Sequence, residues 1–281
     1  MIGADPFVAR SFEAQPFEEL RSNNLGVRVA TEGWEVTAAQ ALRYRVFYEE
    51  MGARADMATA ASHLDADAYD AVADHLLVVD HDRGEGPESV VGTYRLIRRA
   101  AAERLGRFYS EDEYDISTVL AYPNGILELG RSCTDIAYRT RGTLQLLWRG
   151  IAAYVFHHRI GLMFGCASLP GTDLDANAEQ LTYLAQHHQA PPHLCPRALE
   201  SRYLPMNRLP AGSYDAKAAL MALPPLIKGY LRLGGYVGDG AVLDPQFNTT
   251  DVAIVVMTEQ VTDKYYKHYE RKAGWDGTDR N

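Results

Sequence analysis

Five arginines, Arg131, Arg139, Arg141, Arg149 and Arg159, fall between positions 131 and 159, with one acidic residue, Asp135, among them. The stretch carries about +4 by formal side-chain charge, in a 281-residue chain whose net charge is −9. Its densest part, "YRTRGT" (138–143), stands where a strongly periodic helix begins. A helix start offers unpaired backbone N–H groups and the positive end of the helix dipole. Glycine lets a ligand approach that backbone. Arg139, Arg141, Gly142 and Thr143 are therefore candidates for holding a phosphate. By charge alone the same residues also describe a solvated helix face.

The elements that must position these residues are legible from periodicity. "GILELGRSCT" (125–134) and "LMFGCASL" (162–169) are short apolar runs that read as strands. "TLQLLWRGIAAYVFHHRIG" lies between them, with apolar residues at 144, 147, 151, 154 and 155, a helical stripe. Strand, long helix and strand imply a parallel pair. "DHLLVVDHD" (74–82) and "SVVGTYRLI" (89–97), joined by "RGEGPE", predict an antiparallel hairpin.

Upstream, "LGVRVATE" (25–32) alternates like a strand, and Thr37 with Gln40 predicts a capping box that opens a helix. Downstream, 175–188 reads as a helix and the proline-rich 190–210 as a traversing loop. A helix opened by Pro225 and stopped by Gly234–Gly235 follows, then a strand ending near Met257. The stripe Leu226, Ile227, Tyr230, Leu231 and Leu233 fits either a core helix or the wall of a tunnel. The pattern predicts an α/β (α+β) mixed sheet flanked by helices. It divides as 1–24 loosely ordered N-terminal arm, 25–260 single domain, and 261–281 short helix and polar tail.

Composition excludes several classes. An acidic chain is not expected to bind nucleic acid. No run approaches the roughly 18 apolar residues of a membrane span, and the N-terminus lacks a signal-peptide pattern. Cys133, Cys166 and Cys195 have no metal spacing and read as reduced thiols of a cytoplasmic protein. The histidines show no ligand spacing, so no metal is expected.

"RTRGTL" (139–144) resembles the pyrophosphate loop of the GNAT acyltransferases, with Leu144 where Gly or Ala is usual. "RYRVFYEEMG", "DADAYD", "GTYRLI" and "ELGRSC" resemble, in order, the marks of acyl-homoserine-lactone synthases, through Arg45, Phe47, Asp67, Asp70, Arg95, Glu128 and Arg131. A further similarity covers roughly residues 25–257. It rests on "ELGRSC", "YRTRGTLQLLWRGIAAYV", "IGLMFGCASLPGTD", "RYLPMNRLP" and "LPPLIKGYLRLGGYVGDGAVLDPQFNTTDVAIV", and is to the ornithine N-acyltransferases of bacterial ornithine-lipid synthesis.

That resemblance implies a GNAT-like acyltransferase fold with a C-terminal extension. It implies transfer of a 3-hydroxy fatty acyl group from acyl carrier protein to the α-amine of ornithine, giving lyso-ornithine lipid for a downstream O-acyltransferase. No cofactor is bound tightly, and acyl-CoA is the poorer donor. Two central strands, here 125–132 and 162–169, splay to admit pantetheine. Alternatives are an N-acyl amino acid synthase for glutamine, lysine or tyrosine, a homoserine-lactone synthase, and a non-catalytic module that binds acyl carrier protein. The amphiphilic product makes peripheral contact with the inner membrane surface plausible.

The implied chemistry assigns roles. Glu128, in an apolar strand, is the expected base, since burial raises a carboxyl pKa; an ion pair with Arg131 or Arg95 is the alternative. Arg45 and Arg95 are candidates for the ornithine carboxylate, or for organising the loop of Asp67 and Asp70. Those aspartates, and Asp173, are candidates for the side-chain ammonium. Arg149 and Arg159 are expected to meet the acidic face of the carrier protein.

Overall fold

The computed structural model describes residues 18–259. Its strands are β1 (Leu20–Ser22), β2 (Leu25–Val29), β3 (Asp74–Asp80), β4 (Val90–Arg98), β5 (Tyr114–Asp115), β6 (Gly125–Thr134), β7 (Ile160–Pro170), β8 (Arg197–Ala198), β9 (Tyr236–Asp244) and β10 (Thr249–Met257). Its α-helices are α1 (Gly33–Tyr44), α2 (Met57–Ser62), α3 (Arg99–Leu105), α4 (Ser117–Leu120), α5 (Arg141–His157), α6 (Ala178–His188), α7 (Ala216–Ala222) and α8 (Pro225–Arg232).

The sheet order is β1-β2-β3-β4-β6-β7-β10-β9-β8-β5. The expected hairpin is β3 against β4, and the expected parallel pair is β6 with β7, joined by α5. Within the segment read as an arm, β1 pairs with β2. The tail expected at 261–281 lies outside the described residues. The proline-rich stretch holds β8, and β9 is a strand that the glycines of "YVGDGAVLD" conceal. The first helix begins at Gly33 rather than Thr37. Glu35 reaches back to accept the N–H groups of Thr31 at 2.7 Å and Glu32 at 3.0 Å, while Thr37 Oγ1 donates to the Gly33 carbonyl.

Strand periodicity sorts the side chains onto two faces. Leu127 and Leu129 of β6 join Leu146, Ile151 and Tyr230 in the core beneath α5 and α8. Ile126 enters the core on the opposite face with Phe164, Ala253 and Val255. Glu128 shares Ile126's parity, Arg95 that of Ile97, Cys166 that of Phe164, and Asp251 that of Ala253. One face of the sheet therefore receives all four polar groups.

Candidate active site

β6 and β7 pair only as far as Glu128 and Phe164. Both strands continue, to Thr134 and Pro170, without pairing to each other. A Cβ at Gly165 would stand 2.2 Å from the Leu129 carbonyl oxygen, so glycine is required where the strands begin to part. A cavity of about 390 Å³ occupies the fork. It is lined by residues 129–134 of β6, 166–168 of β7, and by Arg95, Tyr109, Glu128, Phe247 and Asp251. Leu226 of α8 adds an apolar wall, while Ile227 and Tyr230 enter the core. The helix thus serves both of the roles open to it.

Glu128 is 2% exposed. Its carboxylate accepts the N–H of Tyr109 at 2.9 Å, the N–H of Ser110 at 2.6 Å, and the Ser110 hydroxyl. These bonds replace the ion pair with Arg95 or Arg131 that the sequence left open: the short turn at 109–112 claims the carboxylate. Burial pushes its pKa up, against the opposing pull of Ser110 and the two backbone donors.

Arg131 owes its position to a β-bulge. Thr93 opposes Cys133 while Arg95 opposes Gly130, so β6 carries one extra residue there. Arg131 takes a left-handed φ of 51°. Its guanidinium lies between the rings of Tyr109 and Phe247, 4.9 and 4.7 Å from their centroids. It meets Asp65 at 3.3 Å and Asp67 at 3.7 Å.

A buried network of three arginines and three aspartates stands beside the cavity. Arg43 binds Asp65 and Asp70, each at 2.7 Å, and Arg95 binds Asp67 at 2.6 Å and Asp70 at 3.2 Å. Burial pushes the Asp70 carboxyl up, but Arg43 and then Arg95 hold it well below the usual carboxylate range. Arg95 is paired with Asp67 and Asp70, the arrangement expected of loop organisation, and it also lines the cavity. Arg45, two residues on and therefore on the other side of the helix, is exposed, and Arg43 takes the interior position. The helical stripe of Ala39, Leu42, Arg43 and Val46 follows i, i+3, i+4, i+7 and was the available signal.

The other expected residues separate. Arg139 lines the cavity mouth and is bidentate to Glu50. Arg141 and Gly142 are exposed at the start of α5, and the Thr143 N–H is already donated to Thr140 Oγ1. Arg149 is half-buried along α5. Arg159 lies past the far end, beyond the roughly 24 Å that separates Arg141 from His157 at 1.5 Å per helical residue. The positive stretch is therefore not one cluster. Asp173 is exposed and caps a turn through the N–H groups of Asp175 and Ala176.

Sequence reasoning missed a second acidic group. Among the described residues, Glu113, Asp244 and Asp251 bring carboxylate oxygens within 4.8 Å of one another. Burial, then the charge of Asp251, pushes Glu113 up to about 7. A folded-state pKa above the ordinary 4.5 means the fold binds this proton more tightly than the unfolded chain does. The associated stability is complete below pH 4.5 and is lost as pH rises through about 7. Glu113→Gln is expected to raise Tm at pH 8 and to leave it nearly unchanged at pH 5. Equal shifts at both pH values, read by thermal unfolding, would contradict this.

A mixed sheet forked between its central parallel strands, with a cavity in the fork, is a GNAT-type architecture; the Acetyltransferase (GNAT) domain family matches residues 42–149. The chain is 46% identical over 257 residues to the L-ornithine N(alpha)-acyltransferase of Brucella abortus (strain 2308), covering 90% of this chain and 91% of that one. It is 44% identical to the L-ornithine N(alpha)-acyltransferase of Rhizobium meliloti (strain 1021), covering 90% and 87%. It belongs to the L-ornithine N(alpha)-acyltransferase family. Among solved structures, the AHL synthase LasI superposes with a TM-score of 0.44 at 14% identity, over 83% of this chain and 89% of that one. Among the described residues, no helix is long and apolar enough to cross a membrane.

Proposed function

We propose that this enzyme transfers a 3-hydroxy fatty acyl group from acyl carrier protein to the α-amine of ornithine, giving lyso-ornithine lipid, the first step of ornithine-lipid synthesis. The observation that carries the chemistry is the fork of β6 and β7 with Glu128 at its base. The head group rests on the names of the relatives.

In this reading the pantetheine thioester lies in the fork against the free edges of both strands. The deprotonated α-amine attacks the thioester carbonyl, the C–N bond forms and the C–S bond breaks. Glu128 accepts the proton released as the amine becomes an amide, directly or through water, and that proton is passed to the departing thiolate, so the thiol leaves protonated. Arg131, at the cavity wall, faces the substrate carboxylate. No covalent enzyme intermediate is needed. Arg139, Arg141 and the first turn of α5 receive the phosphate of the pantetheine arm, and Arg149 extends this positive edge toward the carrier protein. Arg159, past the far end of α5, is left to the acidic face of the carrier protein.

Expression in a host lacking ornithine lipids, followed by lipid extraction and mass spectrometry, is expected to reveal a new lyso-lipid with an ornithine head group. Absence of that lipid, with folded protein and 3-hydroxyacyl carrier protein present, counts against the reading. With matched acyl chains, kcat/KM for the carrier-protein donor is expected to exceed that for acyl-CoA. Arg141→Glu is expected to raise the KM for acyl carrier protein, most at low salt, where exposed charge is least screened. Equal kcat/KM values for the two donors would remove the carrier protein from the scheme.

A further inference from the structure

We infer that Glu113, Asp244 and Asp251 form the subsite that receives the side-chain ammonium of the amino-acid acceptor, and so select a diamino acid over acceptors without that charge. The inference rests on the acyl-transfer reading above and adds where the second amine is bound.

Three observations carry it. The first is unmet hydrogen-bonding capacity. Asp251 is 7% exposed and lines the cavity, yet its Oδ1 has no partner; Glu113 is 5% exposed and its Oε2 has none. A buried carboxylate oxygen left bare is costly, and a cationic ligand removes that cost. The two side chains have other contacts: Ser168 and Thr249 face Asp251, and Cys166 faces Glu113. Glu113 Oε1 faces Arg202 at 3.3 Å. Asp244 Oδ1 accepts the N–H groups of Gln246 and Phe247 at 2.8 and 3.0 Å, which holds the β9–β10 turn around the trio.

The second observation is position. Asp251 pairs with Ser168 on β7 and Glu128 with Phe164. The trio therefore lies beyond the base along the parted strands, four residues or about 13 Å of strand away, a gap shared by the two side chains and the diamine between them. The groups are also physically linked. The Cys166 thiol contacts Ser110 Oγ at 3.7 Å, and Ser110 in turn bonds Glu128. Cys166 contacts Glu113 on its other side.

The third is the chemistry of the donor set. An ammonium carries three N–H donors and is satisfied by three acceptors, the number of carboxylates here. Calcium takes six to eight oxygens and magnesium an octahedral set.

The test compares purified wild type, Asp251→Asn and Asp244→Asn on L-ornithine and on L-norvaline, which has the same carbon skeleton without the second amine. Acyl carrier protein charged with a 3-hydroxyacyl chain is the donor. Wild type is expected to favour ornithine strongly. Each variant is expected to lose about 10- to 100-fold in kcat/KM for ornithine, mainly through KM, the range for removing one charged hydrogen-bond partner. The norvaline value should fall far less, so the ornithine-to-norvaline ratio collapses. If both folded variants keep the wild-type ornithine-to-norvaline ratio, the subsite is wrong although the acyltransferase reading stands. If wild type acylates neither amino acid, the acyltransferase reading fails and takes the subsite with it. If wild type binds Mn²⁺, Asp251→Asn does not, and chelation lowers turnover of both acceptors, the trio is a metal site and the inference is overturned.

Discussion

Glu128→Gln is expected to lower kcat by about 10²–10⁴, the usual range for loss of a general base. The residue has two duties, and the experiment must separate them. Its carboxylate anchors the turn at 109–112 through three hydrogen bonds. Glutamine keeps one carbonyl oxygen but turns an NH₂ group toward a backbone donor, at a cost of about 1–3 kcal/mol in stability. Activity must therefore be read well below the variant's Tm. The pH profile distinguishes the duties further. Burial places the Glu128 pKa above the ordinary 4.5, so the acid limb of wild-type kcat lies above that value and is absent from the variant. A variant with lowered Tm and kcat within threefold of wild type would show that Glu128 only anchors the turn.

Asp70→Asn is expected to destabilise the fold by about 3–5 kcal/mol, the cost of removing one partner from a buried ion pair. Asp70 is shared by Arg43 and Arg95, which are 0% and 1% exposed. Asparagine offers one acceptor oxygen and no charge, leaving two buried guanidinium groups short. The pKa of Asp70 is depressed in the fold, so its contribution is present above the unfolded value of about 3.8 and is lost as pH falls below it. The gap between wild type and variant, measured by denaturant unfolding, should therefore be full at pH 7 and shrink in acid. A cost under about 1 kcal/mol at pH 7 would place Asp70 among ordinary surface-type pairs.

The two predictions differ in what they touch. Glu128 lies on β6 at the fork itself, and its loss is expected to appear first in turnover. Asp70 lies in the loop between α2 and β3, and its loss is expected to appear first in stability. Activity would fall in step with the folded fraction. Arg131 connects the two regions, since it meets Asp65 and Asp67 of the loop while its guanidinium lines the cavity. The buried network thereby positions the cavity wall, and Arg95 and Arg131 are its members that line the cavity.

Much of the frame was legible from local pattern. The bounds of β6 read directly as 125–134, and the stripe of α5 announced a parallel crossover, because periodicities of 2 and 3.6 are written into neighbouring residues. The parity of Glu128 within its strand was equally available. Where local rules competed, they misled. Thr37 with Gln40 has the form of a capping box, yet Glu35 reaches the earlier N–H groups and starts the helix at Gly33. Glycines hid β9, since a strand with few side chains shows little alternation.

The site itself was decided by tertiary structure. The stripe of α1 could place Arg43 on the inner face, but only the fold brings Asp65 and Asp70 to meet its charge there. The arginines around α5 were adjacent in sequence, but a helix spreads them along its axis and removes Arg159 from the group. Asp244 and Asp251 flank the β9–β10 turn, and Glu113, far away in sequence, joins them because β5 is carried to that side of the sheet through β8 and β9. Side-chain periodicity is a short-range property that sets which face a residue occupies. Strand order and the parting of β6 from β7 are long-range outcomes of burying the whole core, and they determine which charges meet across the cavity.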